Sequence, residues 1–384
     1  MEEFAPSSVG PMSTTGSLPA PAHPRETEVI EAFRDGGTLT RARIAEVTGL
    51  GRSTVSAVVT RLVEEGAVEV VGHDEQAGRG RPTEQVAIDR TAVRALGIDL
   101  AHGAVRVVAL NTLGEVLGSR EAPHDEALGP ARRRELVGRL LTDLELSEST
   151  PSLRGVGLGI SGPAALTRPE RAPWRDLVDE LRTRFDVPVH VDNTTRCAAF
   201  AEHLASTGTG RTTLHVRCYQ GVGGAIVRDG TLDLGADGMA GEIGHLPVEI
   251  PGMTCRCGRS GCLETVASTP AVLSALRSHG IVLRSPADLQ AALDARAPQL
   301  QGVLDRVTRA VARALVLATT IVDPDEVILT GDLFDADDHL LEAIRPLVAE
   351  GVGERFPLIP LERGRLDAFA GAVGAALVVL HPHP

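Results

Sequence analysis

The chain has 384 residues, 43% apolar and 23% charged, enough apolar material for two or three packed domains and no apolar run of membrane-spanning length. A formal net charge of -13 argues against nucleic-acid binding over the whole surface but leaves room for a local basic patch. All 38 basic residues are arginine, which excludes Schiff-base chemistry and a phosphate-gripping P-loop lysine.

Residues 1–24 scatter Pro, Ser and Thr with no Lys or Arg, and lack the basic start and apolar centre of a signal peptide. A disordered tail on a cytoplasmic protein is expected, with no membrane partner. From Arg25, the spacing of Val29, Ile30 and Phe33 predicts a helix ended by Gly36-Gly37. Ile44, Ala45 and Val47, a Thr48-Gly49 turn, then Leu50, Val55, Val58, Val59 and Leu62 predict two short helices around a glycine, the pattern of a helix-turn-helix. The opposite face of the second helix carries Arg52, Ser53, Thr54, Ser56, Ala57, Thr60 and Arg61, side chains suited to a major groove. An ordinary solvated face would look similar. The next segment of the chain favours DNA: Ala67 to Val71 and Glu84 to Ile88 predict two strands around a Gly-Arg-Gly-Arg-Pro segment, a wing that offers Arg79 and Arg81 to a narrow A·T minor groove. Residues 25–90 hold 9 Arg against 12 Asp plus Glu, yet Thr38 to Arg61 hold Arg41, Arg43, Arg52 and Arg61 against Glu46 alone. The expected DNA face is therefore basic and the back acidic. The expected DNA-contacting set is Arg41, Arg52, Ser53, Thr54, Ser56, Thr60, Arg61, Arg79 and Arg81, in a winged helix-turn-helix domain over 25–88.

After Asp89 the composition becomes glycine-punctuated α/β. Leu96 to Leu100, Val105 to Leu110 and Gly155 to Ile160 read as strands, Arg132 to Leu144 and Trp174 to Phe185 as helices, and Val187 to Val191 as a further strand, which predicts a mixed, largely covered sheet. Cys197 and Cys218 read as small buried fillers. Gly241 to Glu264 then packs His245, Cys255, Cys257 and Cys262 with three carboxylates. Three thiolates and an imidazole close a tetrahedral zinc shell with no open position, so one structural zinc ion is expected. Cysteines two residues apart are poorly placed to bridge each other, and Gly258 and Gly261 suit the tight turns such a shell needs. Glu242 and Glu264 are not needed to complete that shell. Further on, Leu304 to Ile321 reads as a long apolar helix ended by Asp323-Pro324, Glu326 to Thr330 as a strand, and Phe369 to Leu380 as a closing helix whose Gly371 and Gly374 permit close packing on the first lobe.

Gly-Glu-Ile-Gly-His over 241–245, followed by Cys-Arg-Cys-Gly-Arg-Ser-Gly-Cys-Leu-Glu over 255–264, resembles the signature of the ROK family of repressors, open reading frames and sugar kinases. The resemblance implies an α/β, bilobed, actin-like ATPase fold of the ribonuclease H-like kind over 89–384, lobe one at about 89–206 plus 368–384 and lobe two at about 207–367. It also implies a zinc-pinned loop beside a sugar pocket in which Asn193, Glu242, His245 and Glu264 reach sugar hydroxyls. Four elements of the family's kinases are altered. The first phosphate turn reads Asp99-Leu-Ala-His-Gly103, without the double glycine and threonine. The position of the catalytic aspartate after Asn193 is Thr194, whose hydroxyl cannot accept a proton near neutral pH. The second phosphate segment reads Cys218-Tyr-Gln-Gly-Val-Gly-Gly224, and Asp332 after Thr330-Gly331 would repel a phosphate.

Ligand binding retained without phosphoryl transfer implies a non-enzymatic regulator, most simply a repressor, that binds operator DNA as a homodimer or dimer of dimers and responds to a sugar or sugar derivative. The alternatives are an active ATP-dependent sugar kinase carrying a DNA-binding domain, and a scaffold with a vestigial pocket.

Overall fold

The computed structural model describes residues 24–74, 83–125, 127–144, 152–162, 174–206, 211–335, 338–353 and 357–381. Residues 1–23 of the expected tail, and the expected wing-tip contacts Arg79 and Arg81, lie outside the described residues. The chain forms two compact units, one of residues 1–209 with 368–384 and one of 210–367.

The first unit begins with α1 (Pro24–Gly36), β1 (Leu39–Thr40), α2 (Arg41–Thr48), α3 (Arg52–Glu64), β2 (Val68–Asp74) and β3 (Thr83–Ile88). The helical stripes meet: Val29, Ile30 and Phe33 of α1, Ile44 of α2 and Val55, Val58, Val59 and Leu62 of α3 share one buried cluster. The Thr40 hydroxyl accepts from the Arg43 amide to start α2, and Gly49 ends it at φ 70°, a left-handed conformation that glycine takes without cost. The three strands form an antiparallel sheet in the order β1-β3-β2.

The same unit continues with β4 (Ala95–Leu100), β5 (Ala104–Leu110), β6 (Val116–Pro123), α4 (Pro130–Asp143), β7 (Gly155–Ile160), α5 (Arg175–Phe185), β8 (Val189–Asn193) and α6 (Thr194–Ala205). The sheet order is β6-β5-β4-β7-β8, antiparallel through β6, β5 and β4 and parallel through β4, β7 and β8. Val137, Leu140 and Leu141 of α4 and Leu177, Val178, Leu181 and Phe185 of α5 bury one face of it.

The second unit holds β9 (Thr212–Cys218), β10 (Val222–Arg228), β11 (Thr231–Asp233), a 3-10 turn (Ile243–His245), α7 (Glu264–Ala267), α8 (Thr269–Ser278), α9 (Pro286–Asp294), a short 3-10 turn (Pro298–Leu300), α10 (Gln301–Val322), β12 (Glu326–Gly331), α11 (His339–Val352) and β13 (Leu361–Arg363). Its sheet order, β11-β10-β9-β12-β13, repeats the first unit's pattern of three antiparallel strands followed by parallel partners. This duplicated arrangement is the actin-like fold that the family resemblance implies. Val303, Val307, Val311, Ala314 and Leu315 give α10 its buried face.

The chain returns to the first unit as α12 (Ala370–Leu380). Its backbone lies directly on the sheet. A Cβ on Gly97 of β4 would fall 1.9 Å from the Ala372 carbonyl oxygen, and one on Gly157 of β7 would fall 1.8 Å from that of Ala375. Gly374 does the same toward α6, where a Cβ would fall 1.7 Å from the Cys197 carbonyl oxygen.

Candidate metal, effector and DNA sites

The stretch between β11 and α7 folds by close backbone contacts. Gly244 leaves the 3-10 turn against β10, since a Cβ there would meet the Val222 carbonyl oxygen at 1.8 Å. Short antiparallel bridges pair Pro247 with Cys262 and Thr254 with Ser260, and the Cys255 amide donates to the Arg259 carbonyl at 2.7 Å. Gly261, at φ 74°, closes the loop where a Cβ would fall 1.8 Å from the Glu249 carbonyl oxygen. The result gathers one ligand atom each from His245, Cys255, Cys257 and Cys262 within 4.8 Å of one another. His245 Nδ1 lies 3.7 Å from Cys255 Sγ, and Cys257 Sγ lies 3.7 Å from Cys262 Sγ. All the cysteines are free thiols, and His245, Cys255 and Cys262 are buried while Cys257 is exposed. Such a cluster could hold a metal ion. Cys197 and Cys218 are also buried, and burial pushes the Cys218 thiol up to about 12.

Two residues expected to meet sugar flank this cluster. His245 Nε2 stands 3.9 Å from Glu242 Oε2, so the nitrogen facing Glu242 is not the one beside the thiols. Glu264 begins α7 with its carboxylate gripped in a fork: Arg256 Nε meets Oε1 at 2.8 Å and Nη2 meets Oε2 at 2.8 Å. The Val222 amide also donates to Oε2, at 3.1 Å. With about two acceptor positions per carboxylate oxygen, Oε2 is saturated. Oε1 keeps a second position, which the Cys255 thiol approaches only to 3.8 Å. Arg256, a residue the sequence reading passed over, thus ties the cysteine loop to Glu264; its signal was a charge set between two cysteines.

Asn193 ends β8 in the first unit and is buried. Its Oδ1 accepts from the Thr195 amide at 2.7 Å, capping α6, and its Nδ2 donates to the Gly162 carbonyl oxygen. Thr194 Oγ1 donates to Asp99 Oδ1 at 2.5 Å, and Asp99 is fully buried. Asp192 is occupied as well, since Oδ1 accepts from the Asn193 amide at 2.6 Å and from Arg196 Nε at 2.5 Å.

The second glycine-bearing segment, in the other unit, meets side chains from β9 and from the loop after β12. Tyr219 Oη donates to Asp335 Oδ2 at 2.6 Å, and the Arg217 guanidinium lies 4.8 Å over the Tyr219 ring. Thr269 Oγ1 donates to Asp332 Oδ2 at 2.5 Å, and the Gly331 amide donates to Asp335 Oδ1 at 3.0 Å. Burial, with Asp335 nearby, holds the Asp332 carboxyl above its usual range.

Of the residues expected to meet DNA, Arg52, Ser53, Ser56 and Thr60 of α3 are exposed and Thr54 is half-buried. Arg41 lies across them from α2, donating to the Ser56 carbonyl and to Thr60 Oγ1, each at 2.9 Å, and pairing with Glu84 at 3.2 Å. Arg61 turns the other way. It binds Glu26 Oε2 at 2.5 Å and lies 3.7 Å from Glu65.

Comparison with known proteins matches the chain in two parts. Residues 25–72 match the IclR helix-turn-helix domain and residues 96–381 match the ROK family. The DNA-binding transcriptional dual regulator NagC of Escherichia coli is 26% identical over 362 residues, 89% of each chain. A glucokinase of Halalkalibacterium halodurans is 30% identical over 306 residues, 70% of this chain and 92% of that one. Among solved structures, a ROK family transcriptional regulator homologous to the E. coli MLC protein superposes with a TM-score of 0.72 at 21% identity, covering 92% of this chain and 96% of that one. A ROK hexokinase from Thermus thermophilus superposes with a TM-score of 0.61 at 26% identity, covering 74% and 97%. With the duplicated sheets, the cysteine loop and a family match running from β4 to the end of α12, this chain belongs to the ROK family.

Proposed function

We propose that the chain is a DNA-binding transcription regulator, acting as a repressor, whose affinity for operator DNA is set by a sugar or sugar derivative and which transfers no phosphoryl group. The observation that carries the second half is Thr194. At the position where the family's kinases keep a carboxylate base, a hydroxyl donates its proton to buried Asp99 and can accept none from a sugar. Asp192, the adjacent carboxylate, is neutralised by Arg196. The segment assigned to nucleotide in the family's kinases supports the same reading, since the Tyr219 hydroxyl is spent on Asp335 and the Asp332 carboxylate is an acceptor, where phosphate oxygens need donors.

Asn193, Glu242, His245 and Glu264 are assigned to sugar hydroxyls, with Arg256 sharing Glu264. The cluster of His245, Cys255, Cys257 and Cys262 is assigned to one structural zinc ion. Tetrahedral zinc with Zn–S of about 2.3 Å sets its thiolates about 3.8 Å apart. The Cys257–Cys262 separation of 3.7 Å fits that edge. Arg52, Ser53, Thr54, Ser56 and Thr60 are assigned to base edges, with Arg41 supporting them. Arg79 and Arg81 are assigned to the minor groove of a palindromic operator bound by a homodimer in the cytoplasm. NagC supports the regulatory reading, and the match to a glucokinase favours the second one, an active sugar kinase with a DNA-binding head.

One experiment separates them. Full-length protein is melted against glucose, xylose, N-acetylglucosamine and their 6- or 5-phosphates, with and without ATP and magnesium, while ADP release is followed. The regulator raises its melting temperature with one sugar alone and releases no ADP, because any ligand bound only by the native state stabilises it. Sugar-dependent ADP release over many turnovers would establish the kinase instead.

A further inference from the structure

We propose that Glu26 is a positioning residue for DNA recognition: it fastens the recognition helix α3 to the first lobe of the ROK domain by bridging Arg61 and Arg154. Glu26 lies on α1 and is only 4% exposed. Its Oε2 takes Arg61 Nη2 at 2.5 Å and its Oε1 takes Arg154 Nη1 at 2.6 Å, with Arg154 Nη2 a further 3.4 Å from Oε2. Arg61 sits in the last turn of α3, whereas Arg154 immediately precedes β7. A carboxylate taken out of water needs such partners, and removing one leaves the other charges poorly compensated. The bridge therefore holds only while helix and lobe keep one geometry.

Neighbouring contacts aim the same way. Arg94, from the segment leading into β4 and 3% exposed, donates to the Ser152 carbonyl oxygen at 2.7 Å, to the Glu65 carbonyl oxygen at 3.0 Å and to Glu65 Oε2 at 2.7 Å. Glu65 is the residue that caps α3. Leu113, from the β5–β6 turn, is buried in the apolar cluster of the head. Between them, Asp89 Oδ1 accepts from the Thr91 amide and hydroxyl and from the Ala92 amide, so the connection from β3 to β4 is an ordered turn. Accordingly, the head and the first lobe fall in one compact unit. The position of α3 is thereby set by the lobe as well as by the head, and in a homodimer the separation of two recognition helices is set through two such bridges.

This rests on the dimeric operator reading, and the test keeps the two apart. A duplex with two half-sites is selected by binding from genomic fragments. It is then compared, for the full-length chain, with the same duplex carrying one intact half-site and with one carrying a single inserted central base pair. Two heads held at fixed separation act as one bivalent ligand, so the wild type should favour two half-sites over one by about 10²-fold or more. Arg154→Ala cuts the bridge but leaves Glu26 paired with Arg61 inside the head. It should bind the single half-site within about twofold of wild type, lose about tenfold on the two-half-site duplex, and cease to discriminate the insertion, because the effective concentration of the second head falls. Arg154→Lys should restore most of the preference. An Arg154→Ala protein that keeps its preference and its spacing discrimination overturns the proposal, as does one that loses single-site affinity by the same factor. A wild type that binds one and two half-sites equally removes the dimeric reading and the bridge's role with it.

Discussion

Asp99 and Thr194 show how a site can be stripped of chemistry yet remain tightly built. Asp99 is fully buried, and the one hydrogen bond described for its carboxylate comes from Thr194. Thr194→Val keeps the shape and removes the donor, leaving a buried carboxylate without it. Unfolding in urea should show a loss of about 1–3 kcal/mol, with Thr194→Ser close to wild type. Equal stability of Val and wild type would mean that the hydroxyl does not serve Asp99. His215 makes a separate prediction. Burial, reinforced by Arg217, pushes its imidazole down to about 3, so the folded protein holds it neutral while the unfolded chain titrates near its ordinary value of 6.5. The unfolded state therefore binds the extra proton. This group's contribution is intact above about pH 6.5 and is lost progressively as pH falls toward 3, by up to about 1.4 kcal/mol per pH unit. Stability measured from pH 7.5 to 5 should fall more steeply in wild type than in His215→Gln, and parallel curves would contradict the assignment. What the sequence revealed at this scale depends on distance along the chain. The cysteine loop was legible because His245, Cys255, Cys257 and Cys262, which the fold brings together, lie within one short stretch. The Thr194–Asp99 and Tyr219–Asp335 pairs span 95 and 116 residues, and the bridge from Glu26 to Arg154 spans 128, so only folding brings their ends together.

Among the elements, strongly patterned ones were readable and evenly buried or very short ones were not. The buried strand Gly155–Ile160 and the amphipathic α5 stand where their sequence patterns put them. The helix α6 went unseen because every residue from Arg196 to Leu204 is buried, which erases the 3.6-residue stripe that marks a surface helix. β1 has two residues, too few to carry any pattern, and β6 is a polar edge strand. β8 begins at Val189 rather than Val187, beyond Pro188, whose missing amide cannot join a ladder. The closing helix α12 yields a sharp prediction, because its fit depends on bare backbone. Gly157→Ala would drive a methyl into the Ala375 carbonyl and should cost about 3 kcal/mol, at the upper end of overpacking penalties. Gly103→Ala, with nothing within 4 Å of its added Cβ, is the control and should change stability by less than about 0.5 kcal/mol. The cysteine loop supplies another. If zinc holds it, a chelator should raise amide exchange from His245 to Glu264 and abolish sugar-induced stabilisation, while the strands of the first unit keep their protection. Unchanged exchange in protein shown by elemental analysis to lack metal would assign the loop's order to its backbone bridges alone.

For the molecule as a whole, the proposed regulation is a statement about linkage. A sugar can alter operator affinity only if it binds the DNA-competent and DNA-incompetent conformations unequally. Whatever factor sugar imposes on DNA affinity, operator must impose on sugar affinity. Glu242 offers the cleanest handle, because it faces His245 Nε2 outside the thiol cluster. Glu242→Gln should keep metal and DNA binding while losing the response. The most direct measurement is a titration of fluorescent operator duplex with the full-length protein, with and without a saturating amount of the sugar that stabilises it, in the absence of ATP. Sugar-controlled repression predicts operator affinity lowered by about 5- to 150-fold, with sugar affinity lowered equally by saturating operator. Operator affinity unchanged by a sugar that demonstrably binds would contradict it.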